Sequence, residues 1–316
     1  MSTEHELAAV KAATLIESLP WLKRYAGKVI VVKFGGNAMV NDELKRAFAE
    51  DMAYLRFAGL HPVVVHGGGP QISAALKERG IASEFRGGYR VTSTAAISVV
   101  RDVLAGEVNR EIVDLINAHV ATDDAAGSSR HAAPAVLAVG VYGDAASLFS
   151  GQRKNVLIDG ESFDLGHVGD ITRINPASVL AAIAQGLIPV VSSIALSSDE
   201  PDQALNVNAD AAAGALAIAL GAAKLVMLTD VAGLYRDWPN RESLVDLISV
   251  DELTELLPSL ESGMIPKMTA CLEAVVGGVG GATIIDGRIP HSILLEVFTQ
   301  RGAGTEVIPN SRRIPA

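Results

Sequence analysis

Two stretches decide the fold: Lys28–Asn37, KVIVVKFGGN, and His61–Pro70, HPVVVHGGGP. Each is a β-branched run that stops at glycine. A short run apolar at consecutive positions reads as a strand buried on both faces. Between them Leu44, Phe48, Met52 and Leu55 fall on one helical face. That helix runs from about Asp42, as its N-cap, to Ala58, and Gly59 supplies the stop. A second helix starts near Pro70, a favoured first-turn residue, and ends at Gly80. Strand, glycine turn and helix twice in succession predict a parallel α/β sheet.

The rhythm continues downstream. Asn175-Pro176 opens a helix closed by Gly186, ahead of a strand from Ile188 to Ser193. Asp210 to Leu220 reads as a buried helix before a strand from Lys224 to Leu228. Ala282 to Ile285 and Pro290 to Phe298 supply a last strand and helix. Alternating segments from Glu84 to Val91 and from Asn155 to Ile174 predict hairpins beside the main sheet. Residues 3–19 predict a separate helix, with Leu7, Val10, Leu15 and Leu19 on one stripe and Pro20 as its breaker. It either docks on its own domain or makes an oligomer contact. Ala121 to Pro134 is polar and small-residue-rich, the pattern of a mobile loop.

Composition narrows the function classes. The chain has 316 residues, 49% hydrophobic and 20% charged, enough apolar content to exclude intrinsic disorder. A formal charge of −10 argues against a phosphate-coating nucleic-acid binder, yet permits a small anionic ligand held by a few local cations. The longest small-apolar stretch, Ala211 to Ala223, falls short of a bilayer span. The N-terminus lacks the basic start and apolar run of a signal peptide. A cytoplasmic, non-membrane protein is therefore expected. Cys271 is the lone cysteine, which excludes an internal disulfide and a Cys-based zinc site.

Familiar catalytic signatures are missing. There is no Walker-type P-loop, no G-x-G-x-x-G after a strand, no G-x-S-x-G and no H-E-x-x-H. The seven histidines are scattered, and His66, beside three glycines, fits a structural role better than a catalytic one. What remains is a set of anion-binding parts. The turns Lys33-Phe34-Gly35-Gly36 and His66-Gly67-Gly68-Gly69 place free N–H groups at helix starts, where a Cβ would hold an oxyanion away. Lys33 ends a buried strand, so it needs a negative partner unless it snorkels. Arg90 can fork onto a carboxylate. Asn206-Val207-Asn208-Ala209-Asp210 puts an amide and a carboxylate four apart at a helix start, with Asn208 suited to capping. Thr229 to Tyr235 follows a strand and could wrap a nucleotide, and Lys267 is a second cation near a glycine turn and a helix start.

Taken in order, VVKFGGNAM, VHGGGPQI, GYRVT, LNVNAD, LTDVAGLY and SGMIPKM resemble the N-acetyl-L-glutamate kinases, within the amino acid kinase family and of arginine-sensitive type. The resemblance covers about Lys28 to Val307. KFGG is shared with aspartate kinases, whereas the ordered set, GYRVT with LNVNAD above all, is specific. It implies a three-layer α/β/α sandwich with a mainly parallel central sheet and two lobes. The implied division is an N-terminal helix over 1–25, an acetylglutamate lobe over 26–200, and a lobe over 201–316 holding ATP and an arginine-sensor loop. The implied activity is ATP-dependent phosphorylation of the γ-carboxylate of N-acetyl-L-glutamate, in arginine biosynthesis.

The resemblance also implies roles for single residues. Lys33 and Lys267 would stabilise the transferring phosphoryl group, with Asp210 orienting both. Gly68, Gly69, Arg90 and Asn206 would hold acetylglutamate. Gly35, Gly36, Thr229, Asp230, Gly233, Leu234, Tyr235 and Met264 would contact the nucleotide. Mg²⁺ would arrive with ATP, without a dedicated metal site. Glu296 and Gly302, in the stretch Leu295 to Gly302, match an L-arginine inhibitor site, and the N-terminal helix matches one that links dimers into a homohexamer. A PII-type regulator is known for some members and is not indicated here. The competing readings are another amino acid kinase, such as a glutamate 5-kinase or carbamate kinase, and a catalytically silent arginine sensor on the same fold.

Overall fold

In the computed structural model, which describes residues 3–121, 136–158, 160–261 and 263–312, the two deciding stretches lie side by side. They form β1 (Val29–Phe34) and β2 (His61–His66), parallel neighbours near the middle of an eight-stranded sheet. The strand order is Leu247–Ser249, Gly304–Ile308, Ala282–Asp286, Lys224–Thr229, β1, β2, Ile188–Ser192, Ala138–Tyr142. All neighbours are parallel except Gly304–Ile308, which runs antiparallel to Ala282–Asp286.

Strand parity generates the layers. Ile30, Val32 and Phe34 join a core with Phe48, Met52 and Leu55 of one helix and Ile112 and Ile116 of another. Val31, on the opposite face, joins a second core with Ala212, Ala213 and Leu216 and with Met268, Cys271 and Val275. A sheet buried on both faces explains why its strands read as continuous apolar runs rather than alternating ones. The predicted α/β/α sandwich is therefore the observed architecture.

The hairpin expected from Asn155 to Ile174 begins earlier, pairing Phe149–Ile158 with Glu161–Ile174. With Ile194–Ser197 and Ala204–Val207 it closes a four-stranded barrel beside the sheet. The smaller hairpin pairs Phe85–Arg86 with Tyr89–Arg90, as expected. The loop read from Ala121 to Pro134 lies outside the described residues beyond its first position.

Two local expectations are corrected. The helix after β1, α2 (Asp42–Phe57), is capped by Asn41 and not by Asp42. The Asn41 Oδ1 accepts the N–H groups of Glu43 at 2.9 Å and Leu44 at 3.0 Å, so Asp42 is the first helical residue. There its charge meets the positive end of the helix dipole. The N-terminal helix, α1 (Thr3–Tyr25), does not stop at Pro20 but passes through it. Tyr25 is buried in the first core, with Trp21 and Leu22 packed against it. Burying that last turn offsets the hydrogen bond that proline removes. Before it, Val10, Leu15, Ile16 and Leu19 are exposed.

Asn41→Ala is expected to lower folding stability by about 1 kcal/mol, measured by urea unfolding, because two N–H groups lose their acceptor. Asp42→Ala, which removes a dipole interaction and the exposed ion pair with Lys45 at 2.8 Å, costs less. Equal losses would return the cap to Asp42.

Candidate functional site

Parity also decides which way Lys33 points. It shares a face of β1 with Val31, so it is directed at the layer containing the helices Ala209–Ala219 and Ile265–Val276. The first of these starts where Asn208 Oδ1 accepts the N–H groups of Asp210 at 2.8 Å and Ala211 at 3.0 Å, the capping role expected for Asn208. Asp210 thus sits in the first turn, where a carboxylate is favoured. Its Oδ1 meets Lys33 Nζ at 2.9 Å, and its Oδ2 meets Lys267 Nζ, from the second helix, at 3.4 Å.

Lys33 is only 8% exposed and Asp210 5%. Burial alone would push the Asp210 carboxyl up, but the charges of Lys33 and Lys267 outweigh it and hold the pKa below the ordinary aspartate value. The Lys33 contact is an ion pair that lacks the angle of a hydrogen bond, since Asp210 Oδ1 has no aligned donor. Two ammonium groups against one carboxylate leave one positive charge in excess.

That charge borders a cleft of about 460 Å³ lined by both glycine turns, Arg90, Asn206 and Asp210. The volume suits a small ligand. At Gly35 a Cβ would stand 2.8 Å from Lys33 Nζ, so only glycine leaves that ammonium group its place. Gly36 needs the left-handed region, with φ at +70°. At Gly68 a Cβ would press on Leu104 Cδ2 at 2.8 Å, whereas Gly69 is open. No acceptor within the described chain takes the N–H of Gly68 or Gly69.

Arg90 is 7% exposed, and no carboxylate among the described residues pairs with it. Burial pulls its pKa down. The guanidinium is held by Gly69 O at 3.0 Å, by Ser73 Oγ at 2.8 Å and by the Ser83 hydroxyl, with its carbon 4.6 Å from the Phe85 ring centre. An unpaired buried cation facing a cleft is suited to a ligand carboxylate. Asn206 Nδ2 donates to Thr92 Oγ1 at 3.2 Å, which leaves its Oδ1 available. Ser73, Ser83 and Phe85 carry no signal in the sequence, and Thr92 stands there only as the end of GYRVT; the fold brings all four against Arg90 and Asn206.

The segment from Thr229 to Tyr235 divides. Leu234, Tyr235 and Met264 line a small apolar pocket with Val231, Trp238, Leu260 and Glu261. Thr229 and Gly233 hold the loop instead of facing that pocket. Thr229 Oγ1 donates toward Val231 O and Ile285 O, and a Cβ at Gly233 would stand 2.6 Å from Thr305 Oγ1. Asp230 accepts the Asn37 N–H at 3.2 Å, beside Gly36.

A second cavity, of about 420 Å³, lies where α1 meets the end of the chain. Glu296 lines it, yet only 6% of that residue is exposed, so it is no surface side chain. Its Oε1 pairs with Lys224 Nζ at 2.8 Å and its Oε2 accepts the Ala303 N–H at 2.7 Å. Gly302 has φ at +70° and approaches Glu296 Oε2 so closely that a Cβ would stand 2.6 Å away. Trp21 and Arg24 of α1 line the same cavity, as do Lys224 and Glu306. None of these four was legible as a site residue.

Comparisons with known proteins agree with one another. The model of the amino acid kinase family matches residues 28–286. An acetylglutamate kinase from Leifsonia xyli subsp. xyli is 63% identical over 308 residues, covering 98% of this chain and 97% of that one. Among solved structures, an N-acetylglutamate synthase from Neisseria gonorrhoeae, complexed with coenzyme A and N-acetyl-glutamate, superposes with a TM-score of 0.76 at 23% identity. The match covers 96% of this chain and 64% of that one. A carbamate kinase from Giardia lamblia bound to AMP-PNP gives 0.63 at 16% identity, over 90% and 100% of the chains. At such identities the two structures speak for the fold alone.

Asp210→Asn removes the only negative charge of the lysine pair. Pyrophosphate binding, measured by titration calorimetry, is expected to tighten at least about threefold. Weaker binding would mean that the carboxylate itself contacts the anion or a metal carried by it.

Proposed function

The chain belongs to the amino acid kinase family, and on that footing we propose that it transfers the γ-phosphoryl group of ATP to the γ-carboxylate of N-acetyl-L-glutamate. The products are ADP and N-acetyl-L-glutamyl 5-phosphate. The observation that carries this reading is the excess positive charge of Lys33, Lys267 and Asp210 between two glycine turns, opposite a buried Arg90 that has no counter-ion among the described residues. It is supported by the 63% identical acetylglutamate kinase, which matches along almost its whole length.

The chemistry follows from the charges. A γ-carboxylate with an ordinary pKa of about 4 is ionised at neutral pH, so the nucleophile needs no general base. Repulsion between two anions is the barrier to an in-line attack, and cations with fixed N–H groups reduce it. In this reading Lys33 and Lys267 face the oxygens of the phosphoryl group in transit, and Asp210 holds both ammonium groups in place. Gly35 and Gly36 give N–H groups to the nucleotide phosphates, Gly68 and Gly69 to the acceptor end. Arg90 takes the α-carboxylate. Asn206 Oδ1 accepts the acetamido N–H, a contact that a free amino acid or carbamate would not make in the same way. Leu234, Tyr235 and Met264 offer an apolar wall to the adenine.

Mg²⁺ fits as a companion of ATP rather than as a resident ion. Asp210 is the one carboxylate lining the cleft, and no group of three or more His, Cys, Asp or Glu side chains among the described residues could hold a metal. Bound to the phosphates, the ion would withdraw charge from them while keeping several waters.

The second cavity supports a regulatory reading, inhibition by L-arginine. Carboxylates from Glu296 and Glu306 and cations from Arg24, Lys224 and Arg312 line one space, which suits a zwitterion with a guanidinium end. Arginine there would share Glu296 with Lys224. The exposed apolar positions Val10, Leu15, Ile16 and Leu19 of α1 suit the helix contact of a homohexamer. No helix among the described residues is long and apolar enough to cross a membrane.

A coupled ADP-release assay with Mg-ATP tests both readings. Turnover is expected with N-acetyl-L-glutamate and not with L-glutamate, and arginine is expected to suppress it. Lys33→Ala should lose on the order of 10²–10³ in kcat, as for a lost transition-state donor. Turnover of glutamate would shift the reading to a glutamate 5-kinase. ATP binding without turnover would favour a silent sensor.

A further inference from the structure

His66 ends β2 immediately before the second glycine turn and has no contact with solvent. Parity places it on the face opposite Val63 and Val65, toward the helix Asn109–Ala121. Asn109 Nδ2 donates to Val190 O at 2.8 Å, an atom that can only accept, which settles the orientation of the amide. The same Nδ2 lies 3.0 Å from His66 Nε2. The ring nitrogen facing it must therefore be the unprotonated one, and the proton sits on Nδ1. His66 Nδ1 then donates to Gly67 O at 2.9 Å. Burial holds the ring neutral, with its pKa pushed down to about 4.

The trans peptide between Gly67 and Gly68 makes this contact directional. Its C=O and N–H point in opposite senses, so tying Gly67 O to the ring aims the Gly68 N–H the other way. That N–H has no partner in the chain, and Gly68 lines the cleft. The room for this arrangement is built in. A Cβ at Gly140 would collide with Asn109 Oδ1, and Asn109 follows directly on a π-helical turn, Asp102–Val108. That turn also supplies the Leu104 side chain lying against Gly68.

We propose that His66, kept in its Nδ1–H tautomer by Asn109, is a positioning residue that orients the Gly67–Gly68 peptide so that its N–H addresses the reacting oxygens. This rests on the kinase reading above. It assigns His66 no proton transfer; the ring acts through the backbone.

The pair His66→Asn and His66→Gln tests it. An asparagine Nδ2 can stand near the place of Nδ1 and keep the donation to Gly67 O, while a glutamine amide reaches toward Asn109 instead. His66→Asn should retain kcat within about fivefold. His66→Gln should lose about 10²-fold in kcat, the cost of a misplaced group, with the KM for ATP within twofold. Thermal unfolding of both variants, with ATP binding by calorimetry, establishes that each is folded. Equal losses in the two folded variants, or losses that follow stability alone, would overturn the positioning role. The wild-type chain runs in the same assay: if it does not phosphorylate N-acetyl-L-glutamate, it is the kinase reading that fails. If only one variant folds, Asn109→Leu replaces the other, and unchanged kcat there would refute the relay.

Discussion

A carboxylate held between two ammonium groups is the constraint around which this protein is arranged. Lys33 comes from a central strand, Asp210 from the first turn of one helix and Lys267 from another. None could be buried alone without a large desolvation cost. Together they satisfy one another and still leave an excess positive charge at the cleft. The two helices must pack side by side on one face of the sheet, and the strand must present an odd-numbered residue to them. The second apolar core, with Val31, Leu216 and Cys271, supplies that packing.

The cleft lies where the glycine turns end β1 and β2 because a parallel sheet opens its carboxyl edge to helix starts. Backbone N–H groups there are unsatisfied by the helices that follow. At Gly35 the missing side chain leaves the Lys33 ammonium group its position; at Gly68 it leaves room for Leu104. The glycines thus serve packing and anion access at once, which is why either explanation taken alone is incomplete.

The two faces of the sheet carry different duties. One holds the charged cluster, with Lys33, Asp210 and Lys267. The other holds a neutral polar pair, His66 and Asn109, beneath the backbone of the second turn. Farther along, Lys224 ends up with Glu296 and Glu306 in a second buried charge cluster, which lines the same cavity as Trp21, Arg24 and Tyr25 of α1. Among the described residues, buried charges recur where opposite charges or a ligand cleft can answer them.

The central strands, the helices after β1 and β2, and the sandwich are legible in the amino-acid sequence, because apolar periodicity and glycine stops are local signals. It also singled out Lys33 as a charge ending a buried strand, Arg90 and Lys267 as cations near glycine turns, and Asp210 as a carboxylate at a helix start. Pairing was another matter. That Asp210 answers both lysines, that the hydroxyls of Ser73 and Ser83 hold Arg90, and that Glu296 is buried against Lys224 are contacts the linear sequence does not display. The π-helical turn, the edge strand Ala138–Tyr142 and the antiparallel strand Gly304–Ile308 left no readable trace, since short segments take their form from neighbours. Pro20 misled for the same reason: local propensity ends a helix there, and only the burial of Tyr25 by the rest of the fold carries it on.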